Sequence, residues 1–188
     1  MAYLIITGVT LDEENKLVRE AQKNRASFDQ LYALYLPKVY GFVMGKIKNR
    51  EAAEDLTGEI FLKILEGLPN YQFRGLPFGA WVFQIARNHL SNYYSISHRK
   101  ACESLENPER FKDESEESNP ATLARRKSTK QSLLNHFHVL TSQESEVVRL
   151  KYFAELSNQE IAATLGIHPN HVGVLLFRAL KKLKTDYV

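Results

Sequence analysis

Apolar residues recur at intervals of three and four along most of the chain, the spacing that lines one face of an α-helix. Leu11 to Asn24 is read as the first helix, with Thr10 as N-cap, Asp12, Glu13 and Glu14 at its positive end, and Asn24 as its stop. A second helix opens near Ser27 and carries Phe28, Leu31, Tyr32, Tyr35, Val39, Phe42, Val43 and Ile47 on its stripe, and Pro37 is expected to bend or restart it. Glu51 to Leu68 follows, with Ala53, Leu56, Ile60, Phe61, Ile64 and Leu68 available for burial. From Ala80 to about Tyr94 a fourth helix turns Trp81, Ile85, Ala86 and Leu90 inward, while Gln84, Arg87, Asn88, Ser91 and Ser95 share its outer face. Leu123 to Lys130 is again compatible with helix, and Thr141 or Ser142 caps another helix through Tyr152, whose Val147, Val148 and Leu150 face a core. The pattern predicts an all-α fold.

The most specific stretch is Asn158 to Leu176, capped by Ser157. Ile161, Leu165, Ile167, Val172 and Leu175 supply the contacts of two short helices that cross steeply, and Ala162 is small where they touch. Gly166 ends the first helix with positive φ, and Pro169 fits the first turn of the second. This pattern predicts a helix-turn-helix. Its second helix, about Pro169 to Lys184, presents His168, Asn170 and His171 at the end offered to a major groove, with Arg178, Lys181, Lys182 and Lys184 further along. An ordinary helical hairpin with a capping glycine is the alternative.

Two breaks divide the helices. Pro69 to Gly79 brackets Asn70, Tyr71, Gln72, Phe73 and Arg74 between prolines and glycines and must be a loop; its side chains can stack on unpaired bases and bond to their edges, or simply seal a helix junction. From Glu103 to Ser118 seven acidic residues stand against two basic ones, with little apolar periodicity, which marks a flexible acidic linker. The expected plan is two small helical domains, residues 1–100 and 128–188, joined by a linker over 101–127.

Composition narrows the function classes. With 188 residues, 44% of them hydrophobic, packed cores are within reach, and 25 Lys and Arg against 22 Asp and Glu leave any nucleic-acid surface to local charge distribution. The one cysteine, Cys102, excludes an internal disulfide framework and a cysteine-rich zinc site. No apolar run reaches membrane-spanning length and the N-terminal YLIIT run lacks a basic lead, so no direct membrane insertion and a cytoplasmic location are expected.

The third helix carries an unusual outer face, where Asp55, Gly58, Glu59, Leu62 and Glu66 lie together and set an exposed leucine among carboxylates. Docking onto a partner and a plain solvated face both fit. Asp55 and Glu59, one turn apart, suit a hard cation, but no histidine lies on that helix and no second acidic pair is evident, so no metal and no cofactor are expected. His136 and His138 are read as having no functional role, and the spacing of His168 and His171 lacks companion ligands.

Taken together, these residues resemble a group IV, or extracytoplasmic-function, sigma factor of bacterial RNA polymerase. The likeness runs from Leu11 to Lys184: EENKLVREAQKNRASFDQLYALYLPKVYGFV is similar to the group's opening helices, AEDLTGEIFLKIL to its core-docking segment, FRGLPFGAWVFQIARNHLSNYYS to its promoter-melting part, and LTSQESEVVRLKYFAELSNQEIAATLGIHPNHVGVLLFRALKKL to its minus-thirty-five reader. The resemblance implies a promoter-specificity subunit, not an enzyme. It implies contact with the clamp of the largest catalytic subunit through Asp55, Leu56, Glu59, Leu62 and Glu66, and further contact with the flap region. It makes Asn70, Tyr71, Gln72, Phe73 and Arg74 the edge of a pocket for a flipped minus-ten base, with Arg87, Asn88 and Asn92 beside that strand. For the minus-thirty-five element it implies His168, Asn170, His171, Val174, Arg178 and Lys181, of which Asn170 and His171 suit base edges while Arg178 and Lys181 touch phosphate or only solvate the helix. An anti-sigma factor is an implied partner besides core polymerase and promoter DNA, and the acidic linker is expected to thread toward the RNA exit path or to serve as a plain tether.

The chain departs from the family pattern at three places. Gly58 stands where glutamine is common, Asn92 and Ser95 replace charged residues after the IARN stretch, and Gly173, Val174 and Leu175 replace lysine, serine and arginine, which predicts a gentler salt dependence of DNA binding. Two other classes remain to be weighed: a free-standing helix-turn-helix regulator, for which the sequence offers no ligand-pocket signature or dimerisation heptads, and a metal-dependent hydrolase built on Asp55 and Glu59.

Overall fold

A computed structural model describes residues 10–47, 49–104 and 136–186. Among them run seven α-helices: α1 (Leu11–Lys23), α2 (Phe28–Met44), α3 (Arg50–Gly67), α4 (Phe78–Ser104), α5 (Ser142–Tyr152), α6 (Asn158–Leu165) and α7 (Pro169–Asp186). Helices α1 to α4 form one group and α5 to α7 a second. The acidic stretch from residue 105 onward and Leu123–Lys130 lie outside the described residues, as does the YLIIT run, whereas Glu103 falls at the end of α4.

Reciprocal caps set three of the helix starts. Thr10 with Glu13, Thr141 with Glu144 and Ser157 with Glu160 each form a capping box, so that two otherwise unpaired backbone N–H groups are satisfied at the N-termini of α1, α5 and α6. Lys182 on α7 donates to Glu144 Oε2 at 2.7 Å, which ties the end of the long helix to the start of α5 and, with the Thr141 bonds, holds the Glu144 carboxyl below its usual range. Gly166 ends α6 at φ 67°, the left-handed conformation a side chain would resist, and Ile167 N–H closes the turn on the Ala162 carbonyl at 3.0 Å.

Two expectations change. Pro37 does not restart α2, which runs unbroken with Pro37 inside it. Leu31, Tyr35, Val39, Phe42 and Val43 on the buried side hold the helix in place despite the missing N–H, and the helix ends at Met44 so that Ile47 packs from the following turn. Helix α4 continues beyond Tyr94 to Ser104, taking in Cys102; NYYSISHRKACES contains neither glycine nor proline to stop it.

The apolar core is continuous through both groups. Phe42 and Phe83 meet edge-on at 5.6 Å in the first, and Val147, Val148, Leu150, Ile161 and Val172 fill the second. Between them the turn after α5 lies directly on α2: a Cβ at Gly41 would collide with the Phe153 carbonyl oxygen, and one at Gly45 would stand 3.1 Å from the Phe153 ring. Glycines one turn apart are what allow that approach. Lys38 is buried at the same seam among Glu160, Glu155 and Glu14, and burial pushes its ammonium below the usual range.

Candidate nucleic-acid and partner interfaces

On the outer face of α3, Asp55, Gly58, Glu59, Leu62 and Glu66 are all exposed. Leu62 is 60% exposed, a large apolar side chain among carboxylates. Leu56 is the correction: at 4% exposure it belongs to the core, because its position falls on the stripe shared with Ile60 and Ile64, and it cannot be presented to a partner. Glu59 is held from a neighbouring helix, with the His89 imidazole of α4 2.7 Å from its Oε2. His89 is separated from Glu59 by 30 residues, and nothing in the α3 pattern signals it.

The loop before α4 frames a cavity of about 500 Å³ lined by Asn70, Tyr71, Gln72, Arg74, Trp81 and Gln84, among others. Its floor is aromatic. Tyr71 lies 5.0 Å from the Phe78 ring centre and 5.0 Å from that of Trp81. Half-buried Tyr71 seals the helix junction, whereas Phe73 is exposed and outside the cavity lining. Burial pushes the Tyr71 phenol up to about 12, so it remains a neutral hydrogen-bonding group at physiological pH.

Two side chains from α1 fix this loop, and neither was legible as functional in the sequence. Gln22 Nε2 donates to the carbonyls of Leu68 at 3.0 Å and Tyr71 at 2.8 Å. Glu14, wholly buried, accepts from the backbone N–H of Phe78 at 2.9 Å and from the Tyr35 hydroxyl. It thus satisfies a first-turn N–H of α4 from outside the helix. Desolvation raises the Glu14 carboxyl above its usual range against the pull of those two bonds.

Along α4 the outer face is only partly free. Asn88 and Asn92 are exposed, but Arg87 reaches the second helix group: its Nε donates to Glu146 Oε1 at 2.9 Å and its guanidinium to the Thr164 carbonyl at 3.2 Å. Gln84 donates to the Ala163 carbonyl at 3.4 Å. On α7, Asn170, His171, Val174, Arg178 and Lys181 are exposed and fall within one side of the helix, with His168 just ahead accepting from the Asn170 N–H at 3.3 Å. Phe177, 70% exposed, widens that face with an apolar edge. His136, for which no role was expected, lies 2.7 Å from Asp186 at the end of α7.

Comparison with known proteins decides the family. Residues 31–99 match the model for Sigma-70 region 2 and residues 131–183 that for Sigma-70, region 4, together more than half of the chain. The ECF RNA polymerase sigma factor ShbA of Streptomyces griseus is 31% identical over 139 residues, 72% of this chain and 71% of ShbA. The chain belongs to the extracytoplasmic-function sigma factors. Further relatives are the ECF RNA polymerase sigma factor BldN of Streptomyces coelicolor, 29% identical over 89% of this chain but only 63% of BldN, and the RNA polymerase sigma factor YlaC of Bacillus subtilis, 28% identical over 87% and 94%. Two solved structures share the fold of this sigma factor: CnrH in complex with the cytosolic domain of CnrY (TM-score 0.66, 21% identity, covering 92% of this chain and 95% of that one) and RpoE in complex with the anti-sigma factor NepR from Bartonella quintana (TM-score 0.61, 23% identity, 84% and 94%). No helix among the described residues is long and apolar enough to cross a membrane.

Proposed function

We propose that this sigma factor is a promoter-specificity subunit that binds core RNA polymerase, recognises minus-ten and minus-thirty-five elements, and promotes melting through binding rather than by catalysing a reaction. The cavity at Asn70, Tyr71, Arg74, Trp81 and Gln84 carries this reading, because it combines an aromatic floor with side-chain donors and acceptors at its rim. Stacking on aromatic side chains contributes about 1–3 kcal/mol per base, which offsets the few kcal/mol needed to unpair one. Strand separation then follows from affinity for the single strand, without nucleotide hydrolysis.

In this assignment residues 1–100 bind core enzyme and the minus-ten element, 101–127 connect, and 128–188 bind the minus-thirty-five element. Asp55, Glu59, Leu62 and Glu66 face the polymerase clamp, supported from beneath by Leu56. Arg87, Asn88 and Asn92 accompany the non-template strand past the cavity. His168, Asn170, His171 and Val174 meet base edges, with Arg178 and Lys181 toward phosphate. An anti-sigma factor that covers these faces, and a cytoplasmic site of action, belong to the same proposal.

The test is run-off transcription by bacterial core polymerase on a promoter library, with wild type and Leu62→Asp. Initiation at sequences sharing two motifs at fixed spacing, abolished by Leu62→Asp without loss of helix content, is expected. If the protein instead shifts duplex DNA by itself and no core polymerase initiates with it, the free-standing regulator is correct.

A further inference from the structure

Glu146 brings two cations together in a way that a flexible two-domain reader of DNA does not require. It projects from α5 onto the outer face of α4, where its two oxygens are shared out: Oε1 accepts from Arg87 Nε at 2.9 Å, and Oε2 lies 2.7 Å from Lys46 Nζ. Both cations belong to the first helix group and the carboxylate to the second. A guanidinium N–H and an ammonium converging on the two oxygens of one anion is an arrangement that can take a phosphate as well as a carboxylate.

The site is built and over-supplied with positive charge. The Tyr94 hydroxyl donates to the Lys46 carbonyl at 2.7 Å and so fixes the turn that carries the ammonium, whose Nζ also lies 5.2 Å from the Phe42 ring centre. Asn88 and Ser91 line the adjoining cavity of about 380 Å³ as further hydrogen-bonding groups. Arg149, one turn after Glu146, donates to the Gly45 carbonyl at 2.9 Å. One carboxylate thus faces three cations, and burial, opposed by Glu146, draws the Lys46 ammonium below its usual range.

The same packing occupies other groups that the DNA strand needs. Gln84, on the wall of the aromatic cavity, is bonded to Ala163, and Arg87 is bonded to Thr164, both on α6. Gly41 shows that the arrangement is written into the chain, since any side chain there would meet the backbone of Phe153.

We propose that Lys46 and Arg87 form a clamp for a phosphate of the promoter strand, and that Glu146 is an internal phosphate surrogate which fills the clamp while the two helix groups are packed together. Closed packing and DNA binding then compete for the same donors. The proposal rests on the promoter-binding reading above and adds Lys46 and Glu146 to it.

The experiment uses the full chain and a fluorescein-labelled single-stranded DNA oligonucleotide of mixed sequence, followed by anisotropy across a salt series. Glu146→Gln removes the surrogate from an ion-pair cluster whose side chains keep 14–33% of their exposure, and about fivefold tighter binding at low salt is expected. Gly41→Ala opens the seam from its far edge with no change of charge, in a helix that alanine favours, and is expected to tighten binding in the same direction. Adding Lys46→Ala to Glu146→Gln should lower the slope of log K against log salt by about 0.7, the loss of one single-strand phosphate contact. Unchanged affinity in both Glu146→Gln and Gly41→Ala overturns the surrogate; an unchanged slope on adding Lys46→Ala, or no DNA binding by any variant, overturns the clamp. Run-off transcription by the same preparations separates these failures from failure of the promoter-binding reading, which stands as long as core polymerase still initiates at specific sites.

Discussion

Glu14 is the side chain on which the geometry of the cavity before α4 depends most directly. Its carboxylate joins three helices, rising from α1 to accept from the Phe78 N–H at the start of α4 and from Tyr35 on α2. Glu14→Ala strands two buried donors, and at about 1–3 kcal/mol for each unsatisfied group the variant loses about 2–6 kcal/mol of stability. Glu14→Gln keeps the shape: its carbonyl can accept from Phe78 while its amide donates to the Tyr35 hydroxyl, so the cost stays below about 1 kcal/mol. The two variants also separate in their response to pH. Because burial raises the Glu14 carboxyl, the folded protein keeps the proton to higher pH than the unfolded chain does. The stability this group contributes is therefore fully present below its unfolded value of 4.5 and is lost as pH rises through the folded value. Glu14→Gln should flatten that part of the stability profile. Urea unfolding followed by far-ultraviolet circular dichroism, at a series of pH values from below 4.5 to neutrality, reads both effects. A Glu14→Ala variant within about 1 kcal/mol of wild type, or a Glu14→Gln variant with an unaltered pH profile, would refute the reasoning.

Other outcomes follow from the same geometry. Trp81→Ala removes one wall of the cavity and should weaken capture of an unpaired minus-ten base by about 1–3 kcal/mol, read as lost permanganate reactivity of the melted strand and recovered in Trp81→Phe. Gly166→Ala places a side chain at φ 67° and should cost about 1–2 kcal/mol in thermal stability, with minus-thirty-five affinity reduced in step; an unchanged melting temperature counts against the turn geometry.

What was legible in the sequence depended on chemistry repeated over short intervals. The boundaries of α1, α3, α5 and α6 follow from caps and periodicity that lie within four residues of one another, and Thr10, Thr141 and Ser157 all cap as their spacing with Glu13, Glu144 and Glu160 implies. The cavity residues are likewise contiguous, and Tyr71, Gln72 and Arg74 meet Trp81 only a turn into the next helix. Long-range partners leave no such trace. Gln22 reaches across 49 residues to Tyr71, Glu14 across 64 to Phe78, and Glu146 across 59 to Arg87, and in each case the side chain looks like an ordinary polar position on its own helix. Leu56 received two readings: the apolar spacing placed it with the buried residues, where the structure has it, whereas the family resemblance alone placed it in the clamp contact.

The seam between the helix groups combines two kinds of contact with different consequences. Phe153 and Gly41 meet by shape, which fixes where the groups dock. Arg87, Lys46 and Glu146 meet by charge, and those side chains retain 33%, 18% and 14% of their exposure, so water and salt reach them. Partly solvated ion pairs contribute less net stability than the buried apolar cores on either side. Separating the groups exchanges Glu146 for a competing anion but also uncovers the apolar contact of Phe153 with α2, because the core is continuous through both groups. A promoter strand supplies that anion in a dense array, and in the proposed reading polymerase docks elsewhere, at Leu62 on the outer face of α3.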